Sequence, residues 1–324
     1  MKAKYGFIKP KGFKSREDRI FNAVIILLVA AIMIVTIYPL YLVVIASFSA
    51  PMEVISGNVW LWPEGFSLEG YKRIFNNGDI MLGYRNTILY TLLGTAVSLV
   101  LTMSAAYPLA RSKLYGRSAI MFLFTFTMFF RGGMIPSYLT LKDIGMYNNL
   151  AVMLLFGALS VYNVIVARTF LQNTIPNELY EAAEVDGSND LQTFFKIVLP
   201  LSMPIVAILI LFYAVAIWNN YFTGLIYLKD RELYPLQLFL REILVTGSDT
   251  MSELLEADMN KLLVQESIKY GVIVVSSLPM IILYPFLQKF FVIHFLTAYL
   301  LFSPASYIYN NAKAQKNISC FAKL

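Results

Sequence analysis

The stretch NELYEAAEVDGSNDLQTFFKIVLPLSMP, residues 177–204, gathers carboxylates in a chain that is otherwise largely apolar. Its pattern predicts two short helices around a tight turn. Pro176 suits the start of the first helix, where a missing N–H costs nothing. Gly187 lies where a left-handed C-terminal residue is wanted, and Ser188 or Asn189 can cap the second helix. The stretch is therefore a compact, folded connection between two hydrophobic runs.

One face of the first predicted helix carries carboxylates, because Glu178, Glu181 and Glu184 recur at a spacing of three. Ala182 and Ala183 beside them are small enough for another surface to approach closely. This pattern fits a helix seated in a groove lined by basic groups. It fits equally a solvated loop whose charges keep it soluble.

The composition around this stretch is that of an integral membrane protein. The chain has 324 residues, of which 58% are hydrophobic and 14% are charged, whereas soluble domains average about 25% charged residues. Its net charge of +6 comes from basic residues beside hydrophobic spans, so no nucleic-acid partner is implied. Cys320 and His294 stand alone and predict neither a disulfide nor a metal site nor a catalytic base.

Long apolar runs predict an all-α fold with six membrane spans. Seven basic residues before the first run, and three more between the second and third, place the N-terminus in the cytoplasm. A secretory signal peptide is the competing interpretation of the start, but the run is too long for one. The predicted spans are Phe21–Phe48, Thr87–Ala110, Ala119–Leu139, Leu150–Phe170, Leu201–Leu228 and Tyr270–Phe291.

The resulting organisation has three parts. Residues 1–20 form a basic cytoplasmic N-terminus, residues 21–292 form the transmembrane domain, and residues 293–324 form a C-terminal tail. The connection at residues 172–200 is predicted to be cytoplasmic, and the segment at residues 229–268 is predicted to lie outside.

The motif EAAEVDG followed by IVLP resembles the EAA signature of the membrane subunits of bacterial ABC importers, in their carbohydrate branch. Two further stretches, residues 129–149 and 218–244, resemble the LplC/YtcP-type permeases of that family. The matching residues of the signature are Glu181, Ala182, Ala183, Asp186, Gly187, Ile197, Leu199 and Pro200.

The resemblance implies a type I ABC importer permease in the bacterial cell membrane. Its expected partners are a second related permease, two ATP-binding subunits, an extracellular solute-binding lipoprotein and a sugar substrate. The chain has no GxxxxGK[ST] phosphate-binding motif, so no cofactor is expected on it. ATP and Mg are expected on the partner subunits, and the chain is expected to be a transport subunit and not an enzyme.

The resemblance also assigns roles within residues 172–200, called here the coupling loop. Glu181 would meet basic or polar groups of an ATPase subunit, and Ala182 and Ala183 would permit close contact with it. Gly187 would let the chain turn. Leu199 and Pro200 would tie the loop to the fifth span.

A candidate sugar pathway lies in WNNYF, residues 218–222, because aromatic faces and amides recognise sugars. At about 100° per residue, Trp218, Asn219, Asn220 and Tyr221 cannot all face one cavity. Asn219 or Asn220 is predicted to line it, with hydrogen bonding between helices as the alternative. Trp218 and Tyr221 fit an interfacial aromatic belt equally well.

The outer segment contains an amphipathic pattern with apolar residues from Leu254 to Leu263. It predicts either a docking surface for the binding lipoprotein or a helix lying on the membrane. The tail at residues 293–324 departs from the family. A frameshifted terminus is its leading interpretation, and an extra membrane-associated segment is the second.

Two other function classes compete with the importer subunit. A membrane-embedded enzyme would need a convergent catalytic set, which one Cys and one His do not supply. A stand-alone secondary transporter would carry ionisable residues deep in its spans, together with inverted repeats. The charges here gather at the ends of spans and in loops, which favours the importer subunit.

Overall fold

The computed structural model describes residues 16–130, 132–253, 263, 266 and 268–285, and all regular structure within these ranges is helical. The predicted all-α class is therefore confirmed there. Most of the amphipathic pattern at 254–263, the tail at 293–324, His294 and Cys320 lie outside the described residues. The helices are α1 Arg16–Ser47, α2 Pro51–Ile55, α3 Glu69–Asn76, α4 Gly78–Ala110, α5 Arg117–Phe129, α6 Met134–Asp143, α7 Leu150–Leu155, α8 Val161–Thr174, α9 Asn177–Val185, α10 Asp190–Thr193, α11 Leu199–Leu201, α12 Met203–Trp218, α13 Phe222–Tyr227, α14 Leu236–Glu253 and α15 Ile268–Pro285, with a π-helical turn at Phe194–Val198 and a 3-10 turn at Arg231–Leu233.

Among the described residues, three helices are long and apolar enough to cross a membrane, namely α1, α4 and α15. Two bent pairs raise the number to five if each pair is one span. The helices of the first pair, α5 and α6, meet at 112°, and Asp190–Leu201 meets α12 at 80°. These bends coincide with breakers in the sequence, since FFRGGMIP separates the first pair and Ser202 lies between Pro200 and Pro204 in the second. The fourth predicted span is divided at Gly157 into α7 and α8.

The chain divides into two compact units. The first comprises residues 1–74 and 249–274. In it, α1 exposes most of its apolar side chains, as a helix facing lipid does. The chain after α1 folds back along it, because the hydroxyl groups of Tyr38 and Tyr41 donate hydrogen bonds to the carbonyl groups of Trp60 and Leu61.

The second unit comprises residues 75–248 and 275–324. At its centre, α4 packs against α8 and α12. Ala106 and Ala167 are fully buried there and let the helix backbones approach closely, as small residues do in membrane proteins. The Thr102 and Tyr213 hydroxyl groups lie 2.6 Å apart and link α4 to α12 within this core.

The buried face of α4 is lined with hydroxyl groups at helical spacing. In lipid, polar side chains are stable only inside a bundle, so this face has to point inward. One member of the row fixes a neighbouring element, since the Thr87 hydroxyl accepts a hydrogen bond of 2.8 Å from the backbone N–H of Leu236. A Cβ at Gly83 would lie 2.9 Å from the Leu236 Cα, so only glycine allows this approach. The row is Tyr84, Thr87, Thr91, Thr95, Ser98 and Thr102.

Candidate functional site

The turn of the coupling loop is built by the glycine that the sequence singled out. Helix α9 ends at Val185, and Gly187 follows with φ of +73°. The Gly187 N–H donates to the Glu184 carbonyl at 3.0 Å, and the Ser188 N–H donates to the Ala183 carbonyl at 2.9 Å. This pair of bonds is a Schellman motif. A Cβ on Gly187 would meet nothing within 4 Å, so the position requires glycine for its backbone conformation and not for lack of space.

The second arm of the loop starts with a capping box. The Asn189 side chain accepts a hydrogen bond of 2.8 Å from the Gln192 N–H, and the Gln192 side chain accepts one of 3.3 Å from the Asn189 N–H. This confirms Asn189 as the cap of the second helix. Signature residue Ile197 lies in the π-helical turn, and Leu199 and Pro200 lie in α11 at the bend into α12. The loop is thus followed by Asp190–Leu201 and α12, which meet at 80°, and the role of Leu199 and Pro200 in tying the loop to the fifth span stays a prediction.

The back of the coupling loop is fastened by two cations from the α4–α5 connection. Arg111, whose side chain is only 12% exposed, forms ion pairs with Glu184 at 2.9 Å and with Asp190. The Lys113 Nζ lies 2.6 Å from the second oxygen of Glu184. Tyr180 adds a cation–π contact, because the Arg111 guanidinium lies 5.0 Å from its ring centre. One guanidinium therefore holds both arms of the loop.

These cations shift the titration of the loop. A hydrogen bond from Lys113 is the largest influence on Glu184 and lowers the pKa of its carboxyl group. Slight desolvation opposes this effect, and the charge of Lys113 and the hydrogen bond from Arg111 add to it. Glu184 is consequently ionised at neutral pH and remains available as an ion-pair partner.

The signature residues of α9 divide between two faces. Ala183 is 3% exposed and packs inside the chain with Tyr180, whereas Glu181, Ala182 and Asp186 are exposed. Val185, at 88% exposure, adds an apolar side chain to the open face. Of the two alanines that the resemblance assigns to a partner contact, only Ala182 lies on a free surface. The roles of these residues toward a partner stay predictions.

The pathway candidates do not come together. Trp218 is buried and its indole N–H donates to the Ser276 carbonyl at 3.1 Å. The Asn219 amide donates to the Val215 carbonyl at 2.8 Å, within its own helix end, and Tyr221 is 41% exposed. Only Asn220 lines a cavity, of about 910 Å³, between α4, α7, α8, α12 and α13. The pathway role of all four residues remains a prediction.

Reasoning from sequence missed the residues that hold the loop and part of the cavity. In the sequence, Arg111 and Lys113 predict the membrane orientation, and the signal for their ion pairs is that a basic connection and an acidic loop lie on the same predicted side of the membrane. Asn163 lines the 910 Å³ cavity from α8. Nothing in the sequence distinguishes Asn163 as a cavity residue, because a single amide in an apolar run is common.

A second set of contacts fixes the opposite end of α4. Arg231 lies 2.9 Å from Asp79 at the start of α4 and 3.1 Å from Glu242 on α14. The Asn86 amide donates to the carbonyl groups of Glu232 and Tyr234, at 2.7 and 3.0 Å. The outer segment therefore starts as an ordered structure on α4.

Comparison with known proteins identifies the family. The model of the family described as binding-protein-dependent transport system inner membrane component matches residues 12–237. The polygalacturonan/rhamnogalacturonan transport system permease protein YtcP of Bacillus subtilis is 40% identical, over 85% of this chain and 96% of its own length. Protein LplC of the same organism is 36% identical, over 86% and 93%.

A solved structure agrees with these matches. A chain of a bacterial ABC transporter involved in the import of the acidic polysaccharide alginate superposes with a TM-score of 0.78 and 33% identity, over 86% of this chain and 99% of its own. The predicted permease fold and the prediction of a transport subunit are confirmed by these relatives. Membership implies a cell-membrane location together with ATPase and solute-binding partners. The chain belongs to the family of binding-protein-dependent transport system inner membrane components, as a permease of the sugar ABC transporter type.

Proposed function

We propose that this chain is the membrane-spanning permease subunit of an ATP-driven importer for acidic oligosaccharides. The substrate class is supported by two relatives, one named for polygalacturonan and rhamnogalacturonan and one for alginate. In the complete importer the chain crosses the membrane six times with its N-terminus in the cytoplasm. It pairs with a second, related permease above two ATPase subunits, and a lipoprotein delivers the sugar from outside.

One observation carries the mechanism. The coupling loop presents an open face with Glu181, Ala182 and Val185, while Arg111 and Lys113 hold its back by ion pairs. A loop that only kept the protein soluble would not need a buried arginine joined to both of its arms. Because these ion pairs attach the loop to the end of α4, a movement of an ATPase subunit against the open face would displace α4 and α12 as well.

The test is co-expression of the chain with its neighbouring transport genes, purification in mild detergent and reconstitution into liposomes. We expect recovery of a second permease and an ATPase pair, and ATP hydrolysis stimulated by binding protein loaded with an oligogalacturonide. A neutral oligosaccharide of equal length is the matched control for the substrate class. Purification of the chain alone, active in proton-coupled uptake, would instead establish the stand-alone secondary transporter.

A further inference from the structure

A short loop that follows the first span exposes three consecutive large apolar side chains. Trp60, Leu61 and Trp62 are 67%, 63% and 74% exposed, and they lie in residues 57–66, called here the tryptophan loop. Single exposed apolar residues are common on protein surfaces, whereas a contiguous patch marks contact with another protein or with a membrane. Phe66, which is also exposed, extends the patch to the end of the loop. The patch therefore indicates a contact surface.

Backbone hydrogen bonds close the tryptophan loop and hold it to the end of α1. The Ala50 N–H donates to the Glu64 carbonyl, and the Ser67 N–H donates to the Phe48 carbonyl, both at 2.9 Å. The Phe66 ring stacks on the Phe48 ring with 6.1 Å between their centres. All these residues belong to the first compact unit. The exposed side chains are thus presented by an ordered structure with fixed ends.

The tryptophan loop lies at a level along the membrane normal that α1 defines. Arg19 is the last charged residue before the apolar run of α1. At a rise of about 1.5 Å per residue, Tyr38 lies about 28 Å further along the helix, and the hydrocarbon core of a bilayer is about 30 Å thick. The Tyr38 hydroxyl donates a hydrogen bond of 3.4 Å to the Trp60 carbonyl. The Tyr41 hydroxyl donates one to the Leu61 carbonyl. The loop backbone therefore lies at the boundary between hydrocarbon and headgroups, and not in the water beyond it.

The side chains of the loop fit this boundary. Tryptophan is enriched at membrane interfaces because its ring is apolar and its N–H is polar. The Trp60 N–H donates to the Gly57 carbonyl at 2.8 Å, so Trp60 offers mainly apolar surface. The exposed Trp62 N–H has no hydrogen-bond partner within the described parts of the chain. It is therefore free to donate to an oxygen of a lipid headgroup.

The charge of the segment excludes recognition of anionic lipid. Residues 48–71 contain no Lys or Arg, and they carry Glu53, Glu64 and Glu69. Segments that bind anionic lipid are rich in basic residues, so burial of apolar area has to drive the contact here. A protein partner arriving from the water would have to enter the headgroup region to cover this loop. Lipid is the occupant that the level and the charge both favour.

We propose that the tryptophan loop is a membrane anchor, in which Trp60, Leu61 and Trp62 insert among the phospholipids of the outer leaflet at the level of the headgroups. The anchor has no preference for anionic lipid. It fixes the depth of the outer end of α1, because the loop is hydrogen-bonded to that helix. The choice of the outer leaflet rests on the proposed function, in which the N-terminus lies in the cytoplasm.

The test is quenching of tryptophan fluorescence in the complete importer, reconstituted into vesicles of phosphatidylcholine. The chain has three tryptophans, and the third, Trp218, is buried. The double variant Trp60→Phe/Trp62→Phe keeps apolar rings, and its spectrum is subtracted from that of the wild type, so that the difference comes from the loop alone. We expect lipid brominated near the headgroup to quench this difference more than lipid brominated near the chain end, and iodide in the water to quench it little. Addition of anionic phosphatidylglycerol leaves the result unchanged.

A second double variant tests the anchor by weakening it. Leu61→Gln/Trp62→Gln makes the loop polar, so the quenching constant of iodide for Trp60 should rise several-fold and its emission should shift to longer wavelength. Tyr115→Gln is the matched control, because Tyr115 is an exposed aromatic residue outside the loop, and it should leave Trp60 protected. Equal iodide quenching of Trp60 in wild type and in the loop variant would show that the loop is not inserted.

The remaining outcomes separate the anchor from the proposed function. Quenching by iodide and not by brominated lipid would place the loop in water, and quenching by neither would show that a partner subunit covers it. Either result overturns the anchor, and a requirement for anionic lipid would overturn its stated chemistry. Vesicles that hold a single importer and are captured intact through an N-terminal tag expose the N-terminus, so bromines of the inner monolayer alone should quench the loop. Quenching by the outer monolayer would refute the leaflet and the orientation in the proposed function, while the contact with lipid would stand.

Discussion

The Arg111 guanidinium lies 2.9 Å from the Glu184 carboxylate, and this ion pair joins the end of α4 to the helix of the EAA motif. The two partners differ in exposure, because the arginine side chain is 12% exposed and the glutamate side chain is 43% exposed. A nearly buried arginine depends on its partners, so removal of either partner should disturb the loop more than an exposed pair would.

Replacement of Arg111 by Ala should uncouple the importer. The change removes the ion pairs to Glu184 and Asp190 and the contact with the Tyr180 ring. We expect the number of sugars imported per ATP hydrolysed to fall several-fold, because both arms of the loop lose their shared attachment, while the carboxylates left behind are solvent-exposed and cost little. Lys196→Ala is the control, because Lys196 is exposed and has no ion pair among the described residues. Equal loss in both variants would show a nonspecific effect of charge.

Glu184 gives the loop a defined pH dependence. Its pKa is lowered in the folded protein, chiefly by the hydrogen bond from Lys113. The attachment is therefore complete at any pH above the ordinary carboxyl value of about 4.3, and it is lost as the pH falls through the lowered folded value.

We expect protease cleavage within the loop to be constant between about pH 8 and 6 and to increase only in acid. Glu184→Gln, which cannot ionise, should show the increased cleavage already at neutral pH. A wild-type protein whose loop loosens between pH 7 and 6 would contradict this account.

Position 187 has room for a side chain, but it disfavours residues that do not readily adopt a positive φ. Its φ is +73° and a Cβ would meet open space, so Gly187→Ala costs about 1–2 kcal/mol from conformation alone. Gly187→Asn should cost less, because Asn adopts the left-handed region more readily. Hydrogen exchange of the Ser188 N–H, which closes the turn, reports the difference. An equal increase in exchange for Ala and Asn would point to a steric cause.

Glu181 should affect contact with an ATPase subunit and not the stability of this chain. Its side chain is exposed, and it has no ion pair among the described residues. We expect Glu181→Arg to leave insertion and the thermal stability of the isolated chain unchanged while it abolishes sugar-stimulated ATP hydrolysis. Glu178→Arg, on the same helix, measures the effect of charge reversal alone. Wild-type uptake by the Glu181 variant would remove this residue from the coupling surface.

Local signals in the sequence predicted local structure well. The Gly187 turn and the Asn189 cap follow from backbone chemistry within a few residues, and α1 follows from one long apolar run. Hydropathy placed the second span at Thr87, but α4 begins at Gly78, where Asn77 caps it by accepting hydrogen bonds from the N–H groups of Asp79 and Ile80. The extra turns contain Asp79, Arg85 and Asn86, which lower the mean hydropathy of this stretch, so an apolar run does not extend to the start of the helix.

Relations between distant parts of the chain were beyond such signals. That Ala183 packs inward while Ala182 faces outward depends on where α4 lies against α9, and the pairing of Arg111 with Glu184 spans 73 positions. Asn163 is distinctive only because the fold brings it to one cavity with Ser98, Asn220 and Thr223. The bend angles of the broken spans likewise depend on tertiary packing, although the breakers themselves were visible.

The fastening of α4 at both ends limits how the molecule can move. The helix has 33 residues, about 50 Å at 1.5 Å per residue, and its one proline, Pro108, lies in the last turn beside Arg111. One end carries the coupling loop through Arg111, and the other carries the outer segment through Asp79 and Asn86. No break interrupts the helix between these two ends. Movement of one end of α4 is therefore expected to reach the other end as well, so that the coupling loop and the start of the outer segment move together.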